Sequence, residues 1–80
     1  MQLTHQGSRL AAAALVKELR HRLQLSQEGL ARRMGVSYPT VNRWENGHSQ
    51  PSPMALKLIE LLLKQMGPDG ADLLEIYFAE

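Results

Sequence analysis

An all-α fold, a compact bundle of about five short helices, is predicted by three observations. Apolar residues recur at helical spacing, no stretch alternates apolar and polar side chains as a strand would, and Gly or Pro punctuates the helical segments. The chain has 80 residues, 44% hydrophobic and 21% charged, so we expect one globular domain over residues 1–80. Its core is predicted over residues 9–66, and residues 69–80 are predicted to add a C-terminal helix.

The composition excludes several classes of protein. The sequence has no cysteine, which rules out disulfides and zinc sites built on thiolates. The three histidines are scattered, so neither a metal nor another cofactor is expected. The longest apolar run, residues 10–16, is too short to span a membrane, and residues 1–8 lack the pattern of a secretory signal. A cytoplasmic protein without a membrane partner is therefore expected.

The first two helices are predicted from their caps and periodicity. The first is expected from Ser8 or Arg9 to Gln24, with Ser8 as its N-cap. The second is expected over Gln27–Met34, between an N-cap serine and a glycine that readily takes a positive φ. Gly29 lies inside this helix at a cost of about 1 kcal/mol relative to alanine. The sequence offers no reason for it.

Three further helices follow. Ser37 is expected to cap the third helix by accepting a bond from the Thr40 N–H, and Asn46-Gly47 to end it. Ser52-Pro53 begins a fourth helix that runs to about Met66. The last helix is expected to begin at residue 69 or 70. It is so apolar that part of its surface is predicted to stay exposed and bind a partner, most simply a second copy.

Charge is distributed unevenly along the chain. Residues 1–53 contain seven Lys or Arg against three acidic residues, whereas residues 54–80 contain two Lys against five acidic residues. A basic front half can face a polyanion while the acidic rear faces away from it. Chance segregation on a short chain is the alternative interpretation.

The second and third helices together predict a helix-turn-helix. The short turn between them forces a steep crossing, which needs a small residue where they touch and a flexible turn residue. Ala31 and Gly35 meet these two needs, and Val41 and Trp44 anchor the third helix. The segments that carry this pattern are Leu25-Ser26-Gln27, Leu30-Ala31, Met34-Gly35-Val36-Ser37, Thr40-Val41 and Arg43-Trp44-Glu45-Asn46-Gly47. From about Leu15 to Leu63 the chain resembles the lambda-repressor-like, Cro-type (Xre-type) helix-turn-helix family.

The resemblance implies that the third helix enters the major groove of double-stranded DNA while the second crosses the backbone. The DNA-binding positions that it implies are Gln27, Ser37, Tyr38, Pro39, Thr40, Asn42, Arg43, Asn46 and His48. It also implies a structural ion pair between Arg20 and Glu45. The sequence departs from some relatives at Tyr38-Pro39, which cannot make bidentate amide contacts to adenine.

Base reading is therefore expected to shift to other residues of the third helix. Arg43 can bond the guanine edge and Asn42 can pair with adenine, while Tyr38, Pro39 or Thr40 can contact thymine methyl groups. Phosphate contact is expected from some of the remaining cations, with a solvated face as the alternative. Those candidates are Lys17, Arg22, Arg32, Arg33 and His48.

The function expected from these features is that of a sequence-specific DNA-binding transcriptional regulator, a repressor acting as a homodimer. The last helix is favoured as the dimer surface over the first. The alternative is an antitoxin or adaptor that binds DNA in the same way and clamps a toxin or other protein with the last helix. No enzyme is expected, because the sequence lacks an acid/base pair, a metal set and a phosphate loop.

Overall fold

A computed structural model describes the backbone of residues 5–79 and the side chains of residues 9–79. Within that range the chain forms five α helices and no strand, which confirms the predicted all-α fold. The helices are α1 (His5–Arg22), α2 (Gln27–Met34), α3 (Tyr38–Glu45), α4 (Pro53–Gln65) and α5 (Pro68–Phe78). Helix α3 packs against α1 and α2, and α5 packs against α4 and α1.

Serine side chains cap the first turns of α2, α3 and α4. The Oγ atoms of Ser26, Ser37 and Ser52 accept bonds from backbone N–H groups three residues on, at 3.0, 3.3 and 3.1 Å. Each bond satisfies a helix donor that has no partner within the helix. The cap predicted at Ser8 is wrong, because α1 already begins at His5 and Ser8 lies inside it. Serine is tolerated within a helix, and no proline stands there to stop one.

Left-handed residues end α1, α2 and α3. Gln24, Gly35 and Gly47 have φ values of 57°, 71° and 74°. After each of them the next N–H returns to a carbonyl five residues back, at 2.9 to 3.1 Å. This arrangement is the Schellman motif, which reverses the chain within a few residues. It ends α1 at Arg22 rather than at Gln24 as predicted, and it sets the entry of α2 and α3.

Gly29 is explained by the N-cap of α2. A Cβ atom at this position would lie 3.3 Å from both the Leu25 side chain and the Ser26 Oγ. The missing side chain therefore leaves room for the capping serine and for the leucine that packs beneath it. This crowding acts against the gain in helix propensity that alanine would bring.

One hydrophobic core joins all five helices. Helix α1 contributes a stripe that includes Leu15, Val16 and Leu19, each almost fully buried. The other helices complete the cluster with Leu30, Ala31, Met34, Val41, Trp44, Ile59, Leu62, Leu63 and Leu73. Because Val41 and Trp44 belong to this cluster, α3 is held rigidly by its inner face.

Helix α5 turns most of its apolar side chains inward. Leu73 is buried, and Leu74, Tyr77 and Phe78 are partly buried against the core. Ile76 is the large apolar residue of α5 that stays exposed, at 67%. Part of the apolar surface of α5 therefore stays exposed, as predicted, but it is small because α5 folds back onto α4 and α1. The helix also begins at Pro68, one residue before the earliest predicted start.

Gly70 allows α5 to approach α4 at backbone contact. A Cβ atom at this buried position would fall on the carbonyl oxygen of Leu63 and lie 2.9 Å from its carbonyl carbon. Backbone atoms cannot move aside as the tip of a side chain can, so glycine is the residue that fits. The sequence carried no signal for this requirement.

Replacing Gly70 with alanine is expected to destabilise the fold by at least about 1–3 kcal/mol, the usual cost of forcing extra atoms into a packed site. Helix propensity alone would instead favour alanine by about 1 kcal/mol. Urea unfolding followed by circular dichroism measures the difference. The matched control is Ala71→Gly on the exposed face of α5, where we expect a loss of about 0.5–1 kcal/mol. A Gly70→Ala variant as stable as the wild type would contradict the close packing of α4 and α5.

Candidate nucleic-acid interface

Helix α3 has two distinct faces. Its inner face, formed by Val41, Trp44 and Glu45, is buried. Its outer face carries side chains that are exposed or half-buried, namely Tyr38, Pro39, Asn42 and Arg43, with Ser37 and Asn46 at the two ends. An α-helix with its side chains is about 10–12 Å in diameter, which fits the major groove of B-DNA, about 12 Å wide.

A buried ion pair ties α3 to α1. Arg20 Nε donates to Glu45 Oε2 at 2.7 Å, and Arg20 Nη2 donates to Glu45 Oε1 at 3.0 Å. Arg20 Nη1 also donates to the carbonyl of Leu25 in the turn before α2, at 3.1 Å. Glu45 is only 3% exposed. One guanidinium group thus holds α1, the turn and α3 in one arrangement.

The environment of Glu45 keeps its carboxyl group ionised. Burial by itself raises the pKa of Glu45, but hydrogen bonds from Arg20 and Gln27 and the positive charges of Arg20 and Lys17 more than offset it. The net result is that the pKa of Glu45 lies below its ordinary value. Lys17 is exposed, so its positive charge lies close to this centre and still faces solvent.

Three amide side chains, the first from α2, lead from this carboxylate to the outer face of α3. Gln27 Nε2 donates to Glu45 Oε1 at 3.1 Å, and Asn42 Nδ2 donates to Gln27 Oε1 at 3.1 Å. Asn46 Nδ2 then donates to Asn42 Oδ1 at 3.0 Å. We call Glu45, Gln27, Asn42 and Asn46 the amide chain. The amide chain was not among the predictions, and its one signal in the sequence is the spacing of four residues between Asn42 and Asn46, which places both on one face of a helix.

The N-terminal end of α3 presents a different surface. Tyr38 is 47% exposed and Pro39 is exposed, so both can be touched from outside. The hydroxyl groups of Ser37 and Thr40 are hydrogen-bonded to each other at 2.8 Å. This end of the helix can therefore offer an aromatic ring, a proline ring and hydroxyl groups to a ligand.

Several cations around α3 remain available to an anionic ligand. Within the described residues, Arg32, Arg33 and Arg43 are exposed and form no ion pair. His48, in the loop after α3, is also exposed. Arg22, expected among the phosphate contacts, is instead engaged on α5.

Arg22 connects the C-terminal end of α1 to α5. Its guanidinium bonds both carboxylate oxygens of Asp72, at 2.6 and 3.0 Å, and the carbonyl of Asp69 at 3.0 Å. Its Nε also donates to Glu18 at 3.0 Å. The Arg22 guanidinium lowers the pKa of Asp72. The expectation of a phosphate contact is corrected here, because the chain folds an acidic helix onto this arginine.

In the part of the chain that the structure describes, no three His, Asp or Glu side chains come together as a metal site. None of the helices described is both long and apolar enough to cross a bilayer.

Residues 16–68 match the model of a helix-turn-helix family. The chain belongs to the lambda-repressor-like (Xre-type) helix-turn-helix family. It is also similar to the propionyl-CoA carboxylase regulator of Cereibacter sphaeroides, with 36% identity over 63 residues. That alignment covers 79% of this chain but only 13% of the relative's length. No solved structure matches the chain.

The type of domain is identified by its membership of this family. Members are DNA-binding regulatory domains and not an enzyme family. The matched residues 16–68 include α2 and α3 in full, together with the amide chain. The exposed face of α3, in this helix-turn-helix, is therefore the candidate DNA-binding surface.

The fold is expected to lose stability in acid because the pKa of Glu45 is lowered. A lowered carboxyl pKa stabilises the folded state fully above the ordinary value of about 4.3, and that contribution is lost as the pH falls through the folded-state pKa. Urea unfolding at a series of pH values from 7 to 3 measures this loss. Asp72, whose pKa is also lowered, contributes in the same direction.

The Glu45→Gln variant tests the source of this dependence. We expect it to be less stable at neutral pH by roughly 2–3 kcal/mol, somewhat below the cost of breaking a fully buried pair, since Arg20 keeps 17% of its side chain exposed. Its stability should also fall less steeply in acid. Glu75→Gln, on the exposed surface of α5, is the matched control and should keep the wild-type slope. An unchanged slope in Glu45→Gln would contradict the assignment.

Proposed function

We propose that the protein binds double-stranded DNA in a sequence-specific manner through α3, lying in the major groove, and represses transcription. The observation that carries this proposal is the division of α3 into a face buried in the core and a face that presents Tyr38, Pro39 and Arg43. A helix that contacts bases must be anchored in the protein on one side and accessible to DNA on the other. Helix α3 meets both conditions.

Base contacts are assigned to residues of the exposed face. Arg43 is exposed and without an ion pair among the described residues, so its guanidinium is free to donate two bonds to a guanine edge. Asn42 is assigned to adenine. Tyr38, Pro39 and Thr40 lie where apolar contact with thymine methyl groups is possible.

Phosphate contacts are assigned to the periphery of the same surface. Gln27 lies at the start of α2, Ser37 at the start of α3, and Asn46 and His48 follow the end of α3. Arg32, Arg33 and Lys17 are exposed cations that can add to this set. Every such contact releases counterions, so binding should weaken as the salt concentration rises.

The proposed biological role is supported by fewer observations than the proposed DNA binding. The relative from Cereibacter sphaeroides is named a regulator, which supports regulation as the purpose of DNA binding. Repression by a homodimer in the cytoplasm is proposed by analogy with the family, and two copies would read half-sites about one helical turn apart. The antitoxin or adaptor alternative would use the same exposed part of α5 as the proposed dimer, and it has less support because the relative is named a regulator.

The Arg43→Ala variant is expected to lose preference for the cognate sequence while keeping most of its affinity for random DNA. One bidentate guanine contact discriminates by about 1–3 kcal/mol, which corresponds to roughly 5- to 150-fold in relative affinity. Selection of bound sequences from random duplexes first defines the site, and fluorescence anisotropy then measures Kd for cognate and random duplexes. Arg33→Ala is the matched control and should leave the ratio of the two affinities unchanged. Equal losses on both duplexes in Arg43→Ala would contradict base reading by Arg43.

The proposed dimer is expected to use the exposed part of α5. Truncation after Pro68 cannot test this, because it removes Leu73 from the core. The Ile76→Asp substitution introduces a charge at an exposed site and should shift sedimentation from dimer to monomer. Met54→Asp, at an 82% exposed site on α4, is the control and should leave the mass unchanged. A monomeric wild type, or an unchanged mass in Ile76→Asp, would contradict dimerisation through α5.

A further inference from the structure

We propose that Glu45 and Gln27, which need not touch a base, set the orientation of the Asn42 amide and thereby determine the base that Asn42 reads. The inference rests on the proposed function, because it assumes that the outer face of α3 meets the major groove. It is carried by the direction of three successive hydrogen bonds from the protein interior to its surface.

The direction of these three hydrogen bonds is set first by the buried carboxylate of Glu45. An ionised carboxylate can only accept hydrogen bonds, and Glu45 is kept ionised by the two bonds from Arg20. The amide of Gln27 must therefore turn its NH2 group toward Glu45, where the distance is 3.1 Å. The opposite orientation would set the Gln27 carbonyl oxygen against a buried negative charge.

The orientation then passes outward along the amide chain. With its NH2 group turned inward, Gln27 offers its oxygen to Asn42, which must donate from Nδ2 at 3.1 Å. Asn42 in turn offers its oxygen to Asn46, which donates from Nδ2 at 3.0 Å. All three amides therefore direct their donors toward Glu45 and their acceptors away from it.

Asn42 keeps one free donor and one free acceptor after these contacts. A primary amide has two N–H donors and an oxygen with two lone pairs, and the amide chain uses one of each. The half-buried side chain is open to the outside, so the remaining pair can be presented. This pair matches adenine, whose major-groove edge offers N7 as acceptor and the N6 amino group as donor. A flipped amide would present donor and acceptor in exchanged positions.

Arg43 provides an internal comparison. Its side chain is exposed and takes no part in the amide chain, so its preference for a base should not depend on Gln27. Breaking the amide chain should therefore change preference at one position of the DNA site and leave the position read by Arg43 as it was.

The test uses the duplex selected by the wild-type protein and a panel with each base pair replaced in turn. Asn42→Ala identifies the position that Asn42 reads, as the one where preference disappears. Gln27→Met then removes the link to Glu45 while leaving the Arg20–Glu45 pair in place. We expect Gln27→Met to lower the preference for adenine at that position by about tenfold and to keep the preference at the position read by Arg43.

The controls separate orientation from a phosphate contact and from folding. Gln65→Met, the same change at an exposed site on α4, should leave every preference unchanged. Thermal melting followed by circular dichroism checks that each variant is folded. If Gln27→Met weakens binding to all duplexes equally and keeps the adenine preference, the proposal is overturned and Gln27 is a phosphate contact only.

A second pair of variants acts at the outer end of the amide chain, where Asn46 is exposed and folding is not at stake. Asp at position 46 can only accept, so Asn46→Asp opposes the Asn42 oxygen and should lower the adenine preference. Asn46→Ala leaves the bond from Asn42 to Gln27 intact and should keep that preference. An adenine preference that disappears in Asn46→Ala would overturn the proposal, because that variant leaves the bonds of Gln27 to Glu45 and of Asn42 to Gln27 intact. A wild type that binds all duplexes equally would instead contradict the proposed function itself.

Discussion

The buried carboxylate of Glu45 fixes the positions of three helices. A charge that is only 3% exposed is costly unless it is paired and hydrogen-bonded, and here Arg20 and Gln27 supply those bonds. The arginine comes from α1 and also holds the turn before α2, while the glutamine comes from α2 itself. Satisfying one group on α3 therefore orients three helices, and the same contacts leave the opposite face of α3 open.

Arg20 and Arg22 form ion pairs in two different parts of the molecule. The pair between Arg20 and Glu45 is buried beneath the candidate DNA-binding surface, and it gives that surface its rigidity. The contacts of Arg22 with Asp72 and with the Asp69 carbonyl lie on the outside and join α1 to α5. This second connection engages a cation of the basic half with the acidic C-terminal half. Arg32, Arg33 and Arg43 are exposed and form no ion pair among the described residues, so their charges are available to a polyanion.

The residues of α2 and α3 illustrate how far sequence reasoning reached. The positive φ of Gly35 and the cap formed by Ser37 are both predictable from the sequence. Each depends on residues only a few positions away along the chain. The engagement of Asn42 with Gln27 was not foreseen, since 15 residues separate the two side chains. The start of α1 was also missed, because a serine inside an alanine-rich helix reads locally like a cap.

The local features of this protein can be predicted from short stretches of its sequence. Capping serines, left-handed glycines and apolar periodicity act over one or two helical turns, so α2, α3 and α4 could be located from nearby residues alone. Three other properties arise from tertiary packing: Gly70 must lack a side chain, Arg22 is bound to α5, and the Asn42 amide has one orientation. These properties depend on distances between helices that are remote in sequence. Such distances are set by the packing of the whole core, and no pattern of neighbouring residues encodes them.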